Sequence, residues 1–145
     1  MTKLQAIRKF AEQVTGGKVI IKKSPVTCFW GMSVTAKDPR LFIPSDLGIK
    51  KDEEDKEFRA NITSICPIAK GFGDATLAIL HECGHWFNRS AFDSDGYQNM
   101  IKDLSNKEYM RCPYEMVATL WAVCWLQNKD HRKWAKEFER NYFGY

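Results

Sequence analysis

Apolar residues recur at Leu4, Ile7, Phe10, Ala11 and Val14, the three-and-four spacing of a helix with one buried face. Thr2 and Gln5 precede that run as a T-x-x-Q capping box, and Gly16-Gly17 ends it. The pattern then shortens. Positions 18–23 (KVIIKK), 27–34 (TCFWGMSV) and 40–44 (RLFIP) are rich in β-branched and aromatic residues, with Ser24-Pro25 and Asp38-Pro39 as turns between them. Three short strands after a helix predict an antiparallel or mixed sheet. From Lys50 to Glu57 the chain is a mixed charge run without an apolar face, expected as an exposed loop or short solvated helix. Positions 61–68 (NITSICPI) read as a further strand. Pro67 cannot donate to a ladder, which sets that strand at a sheet edge, where a substrate peptide could add main chain to main chain.

The second half is helical. Asp74 is the expected N-cap of a helix starting near Ala75, with Leu77, Leu80 and the small Gly84 on its packing side. Positions 89–111 are polar and irregular, with a short helix predicted around 97–104 as an ordinary connection. Pro113 suits the first position of the next helix, which runs apolar on nearly every side to Leu126 and is therefore expected to be buried. Asn128 to Asp130 interrupts it, and a last helix over 131–143 presents Trp134, Phe138 and Tyr142 to the core. The fold class expected is α+β, as a single domain over 1–145.

Composition narrows the function classes. With 145 residues, 44% hydrophobic and 28% charged, the chain has the make-up of a soluble globular domain. No apolar run approaches a membrane span and the start carries no secretory h-region, so a cytoplasmic location in a bacterial host cell is expected. Five cysteines without a CxxC pair fit neither a disulfide framework nor a zinc knuckle, and most are expected as small buried hydrophobes. The net charge of +4 is dispersed, which disfavours nucleic acid as a partner.

The chemistry gathers at His81-Glu82-Cys83-Gly84-His85. On a helix, residues four apart stack on one face, so His81 and His85 offer two imidazoles to one ion. Glu82 lies about 100° around the axis from His81, where a general base can take a proton from water activated by zinc. Cys83 lies about 200° away and belongs to the core. Catalytic zinc takes three protein ligands and keeps an open position. Glu115 is the preferred third ligand, because a carboxylate in an apolar helix needs a partner. His131 is the rival as the one remaining imidazole, and Asp93, Asp95 and Asp103 sit in exposed-looking surroundings. Ala118 and Ala122 share the face of Glu115 and allow close helix packing. A donor for the oxyanion is expected among Tyr97, Tyr109, Tyr114 and Arg89.

The run from Ala75 to Trp86, with Glu115-x-x-Ala118-x-x-Trp121-Ala122 further on, resembles the minimal zincin-type metallopeptidases of phages and mobile elements. The ImmA/IrrE peptidases and the metallopeptidase domain of the ArdC antirestriction proteins are the named families. The resemblance implies a zincin-like fold, Zn²⁺ held by His81, His85 and Glu115, Glu82 as the catalytic residue, and a protein or peptide substrate such as a transcriptional regulator. It covers about a third of the chain. Cys83 departs from the usual aliphatic residue, and the second helix lacks the further acidic residue common there. SprT-like proteases use a third histidine and would recruit His131. Two other classes compete: a zincin-shaped protein that binds or inhibits a partner without catalysis, and a helical interaction domain without metal.

Overall fold

A computed structural model of the protein describes residues 1–24, 30–48 and 53–144. The chain opens with helix α1 (Lys3–Thr15). Its capping box is formed, with Gln5 N–H donating to Thr2 Oγ1 and Thr2 N–H to Gln5 Oε1. Gly16 ends the helix at φ +75°, a left-handed conformation that costs glycine no Cβ clash. Strands β1 (Ile20–Lys23), β2 (Gly31–Ser33) and β3 (Arg40–Ile43) form a mixed sheet in the order β1-β3-β2. β1 runs parallel to β3, and β2 antiparallel to it. Cys28, Pro25 and the start of the strand expected over 27–34 lie outside the described residues, as does the Lys50–Asp52 part of the charge run.

The strand expected at 61–68 is not there. Helix α2 (Glu53–Ile65) covers most of it, followed by a 3₁₀ turn at Pro67–Gly71. Phe58, Asn61 and Ile62 share the buried side of α2, a helical period that outweighs the β-branched content of the segment. Glu53, Glu54 and Asp55 occupy the first turn, where negative charge suits the helix dipole. Pro67 opens the 3₁₀ turn, where its missing N–H costs nothing. Being helix and 3₁₀ turn, this segment offers no sheet edge to a substrate peptide.

Helix α3 (Asp74–Phe87) carries the HExxH run. The N-cap is Gly73 rather than Asp74, and the capping acceptor comes from elsewhere in the chain. Glu139 Oε2 accepts 2.6 Å bonds from Gly73 N–H and Thr76 Oγ1, and Asp74 pairs with Arg59 at 2.8 Å. Helices α4 (Ser94–Ile101) and α5 (Asn106–Tyr109) fill the connection to α6 (Pro113–Leu126), and α7 (Lys129–Phe143) closes the chain. Among the described residues the fold is thus mixed α and β, mostly helical, with one small sheet. No described helix is long and apolar enough to cross a membrane.

The core lies between α1, α3, α6 and α7. Phe10 is fully buried, stacked on Phe138 at 4.7 Å and edge-on to Trp125 at 5.7 Å. Burying one such ring stabilises by about 1.5–3 kcal/mol. Cys66, Cys83 and Cys112 are buried as expected, whereas Cys124 is exposed. Helix α6 is less enclosed than its sequence predicts. Leu120 is 46% exposed, and Trp121 stacks on the half-exposed Phe87 at 4.9 Å on the outer side. Where α6 meets α3, the helices touch backbone to backbone. A Cβ added to Gly84 would stand 2.6 Å from the Ala118 carbonyl oxygen and 2.9 Å from its Cα. That close approach brings the side chains of one helix within reach of the other.

Candidate metal centre

α3 presents His81 and His85 one turn apart, their rings 4.7 Å apart and nearly perpendicular. α6 presents Glu115 from its first turn. Glu115 Oε1 lies 3.1 Å from His81 Nε2, and Oε2 lies 2.8 Å from His85 Nε2. All three side chains are buried, and among the described residues they form the group placed to hold a metal ion, with ligand atoms within 4.8 Å of one another. Tetrahedral ligands at about 2.0–2.1 Å from a metal ion lie about 3.3 Å apart, somewhat wider than the two contacts above.

The two contacts of Glu115 differ: His81 Nε2 and Oε1 are in hydrogen-bond geometry, and the contact at His85 is not. Glu115 Oε2 is buried and, despite its 2.8 Å approach to His85, has no partner in hydrogen-bond geometry. A buried acceptor left so would cost about 1–3 kcal/mol. A cation between the groups would satisfy it. With both rings neutral as ligands, an ionised Glu115 leaves a buried negative charge that a cation would balance.

A hydroxyl from α6 orients the site. Thr119 Oγ1, fully buried, lies 3.1 Å from His81 Nδ1. If Nδ1 carries the proton and donates to it, Nε2 keeps its lone pair for the ion. Thr119 went unseen in the sequence, where its one signal is a place one helical turn beyond Glu115. Thr119→Val, which keeps the shape and removes the acceptor, is expected to weaken zinc affinity about 10–100-fold, measured by competition with a chelating dye.

Glu82 lies on the same helix, 7% exposed, and burial pushes its carboxyl above the usual range. Burial also works against charge on Glu115 and His85. At Glu115 it is outweighed by the two imidazoles, which hold the carboxyl down to about 2. At His85 it is outweighed by the adjacent Glu115 carboxylate, 2.8 Å away, and the field of Glu82, which raise the imidazole. The signs give a window for the metal-free protein. The depressed Glu115 contributes stability above its ordinary 4.5 that is lost as pH falls toward 2. The raised His85 contributes below its ordinary 6.5, and that stability is lost as pH rises through the folded value. The raised Glu82 likewise contributes most at low pH and loses it above 4.5. Urea unfolding in the presence of a chelator is expected to show maximum stability near pH 4.5, a decline above it as Glu82 loses its contribution, and a steeper one above 6.5 as His85 does. Added zinc moves that maximum toward neutrality by displacing protons.

His131 is not part of the cluster. Its ring stacks on Trp125 at 4.7 Å and its Nδ1 lies 3.2 Å from the Trp125 carbonyl oxygen, at the corner between α6 and α7. Asp93, Asp95 and Asp103 are exposed and outside it as well. Of the expected oxyanion donors, Arg89 is engaged elsewhere: Nη1 donates to the Trp86 carbonyl and the guanidinium lies 3.8 Å from the Trp86 ring centre. Tyr97, Tyr109 and Tyr114 instead line a cleft of about 540 Å³ together with His81, Glu82, His85 and Glu115. Trp30, Met32, Phe42 and Phe58 give the cleft an apolar wall, which the sequence did not mark. Burial pushes the Tyr109 and Tyr114 phenols up, so both stay protonated at neutral pH. Neither family models, characterised proteins nor solved structures match the chain.

Proposed function

We propose that the protein is a zinc-dependent peptidase of the zincin type, cleaving a peptide bond in a protein substrate. One observation carries this reading: two imidazoles and a carboxylate from a second helix converge in a cleft that also holds a separate, buried carboxylate, Glu82. Two nitrogens and one oxygen are a donor set that suits zinc with one position left open. The sequence resemblance to the ImmA/IrrE and ArdC peptidases supports the zincin form and a protein as substrate.

His81, His85 and Glu115 would hold the ion. Zinc bound there supplies Lewis acidity, lowering the pKa of water toward neutrality and polarising a carbonyl. Glu82, with its carboxyl raised by burial, accepts a proton from water and passes it to the departing amine. Thr119 keeps the His81 ring turned toward the ion. The apolar wall of Trp30, Met32, Phe42 and Phe58 holds substrate side chains and excludes bulk water. β2 borders this cleft, and among the described residues it pairs with β3 alone, which favours an extended peptide lying along it.

Zinc-loaded protein is expected to cleave fluorescein-labelled casein, to stop on addition of a chelator and to resume when zinc is restored. Absence of metal-dependent cleavage, with zinc bound, would leave a metal-binding protein without hydrolysis.

A further inference from the structure

The peptidase reading leaves one part of the chemistry without a residue: a donor for the carbonyl oxygen as negative charge builds on it. The present inference rests on that reading. With Arg89 engaged against Trp86, three phenols face the cleft. Their contacts differ in kind. Tyr114 serves as a wall, its ring stacked on His85 at 4.3 Å and 25°, with Tyr97 tilted against it at 4.6 Å. Tyr97 and Tyr109 are joined through their hydroxyls, 3.1 Å apart. In such a pair one phenol donates to the other, and the acceptor's own proton remains for a further partner. The first bond polarises the second, so that remaining O–H is a stronger donor than a lone phenol.

We propose that the hydrogen-bonded pair Tyr97–Tyr109, brought to the cleft by α4 and α5, is the oxyanion donor of the site. In the step it serves, the water oxygen bonds to the carbonyl carbon and the carbonyl π electrons move onto its oxygen. Glu82 takes one water proton. The phenol keeps its proton and gives only a hydrogen bond. When the electron pair returns, the C–N bond breaks, the proton on Glu82 goes to the departing nitrogen, and the second water proton leaves with the new carboxyl group. The segment between α3 and α6, which reads as an ordinary connection, thereby supplies part of the catalytic apparatus.

The test uses zinc-loaded full-length protein and two probes. A phosphinic tripeptide carries anionic oxygens on a tetrahedral centre, whereas acetohydroxamate chelates zinc without one. Tyr97→Phe, Tyr109→Phe and the double variant are titrated with both. One single variant is expected to weaken phosphinic binding by about 10²–10³-fold, the other by about tenfold or less, and the double no more than the first. Acetohydroxamate affinity and zinc content stay at the wild-type level, and in casein hydrolysis the loss falls on kcat rather than KM. The proposal is overturned if the variants bind the phosphinic peptide as the wild type does. It is equally overturned if both probes weaken together, if Tyr114→Phe carries the loss instead, or if the wild type does not bind the phosphinic peptide. The titrations need no turnover. An inactive protein whose phosphinic affinity depends on the pair would therefore retire hydrolysis and keep the donor.

Discussion

Glu82→Gln is expected to slow casein hydrolysis by the zinc-loaded protein about 10²–10⁴-fold, the range for losing a general base, while zinc affinity stays unchanged. The amide has the shape of the carboxyl it replaces, so the packing of α3 is kept. It cannot accept and return a proton. Glu82 lies outside the group of His81, His85 and Glu115, which is why the ion should be retained. Burial holds its carboxyl high, in the direction a base working near neutral pH needs. Paired measurements of turnover and zinc content separate the roles. A variant that loses zinc as well would make Glu82 a ligand, and one that keeps full turnover would remove it from the chemistry.

Gly84→Ala is expected to destabilise the protein by at least about 2 kcal/mol, toward the upper range for an overpacked core. The added methyl would meet the Ala118 carbonyl oxygen at 2.6 Å, and that neighbour is helix backbone, not a side chain that can turn aside. Relief requires α3 and α6 to part. His81 and His85 ride on one helix and Glu115 on the other, so parting them also loosens the centre. Thermal unfolding should show a Tm lower by roughly 5–10 °C for a chain of this length. The variant should also bind zinc more weakly than wild type, although no ligand has been touched. Unchanged Tm and zinc affinity would mean that the helix contact is looser than described.

The two helices also show what a sequence makes visible. His81, Glu82 and His85 were legible because helical spacing alone decides which face each occupies. Glu115 was legible because a charge within an apolar helix requires a partner, and its side chain is buried against the two histidines of α3. The same logic could not find Thr119, since a hydroxyl is tolerated almost anywhere in a helix and carries no charge to account for. Glu139 was hidden for the opposite reason. It sits in the charged stretch His131–Arg140, yet it is 8% exposed and caps α3 from across the core. Only the packing of α7 against the start of α3 reveals it. Residues 61–65 belong to a helix because the helical period of Phe58, Asn61 and Ile62 outweighs the β-branched content of the segment. Strands β1 and β3 were found within a few residues because their turns are marked by proline.

The central claim is that His81, His85 and Glu115 hold one divalent ion. Four-ligand structural zinc sites bind with about 10–16 kcal/mol, so three comparable ligands should give roughly 8–12 kcal/mol and a Kd near or below about 1 µM at neutral pH. Calorimetric titration of metal-free protein with zinc is expected to show one ion per chain, with protons released, and about 10²–10³-fold weaker binding in Glu115→Gln. Zinc that fails to bind, or that binds Glu115→Gln as tightly as wild type, would contradict the account.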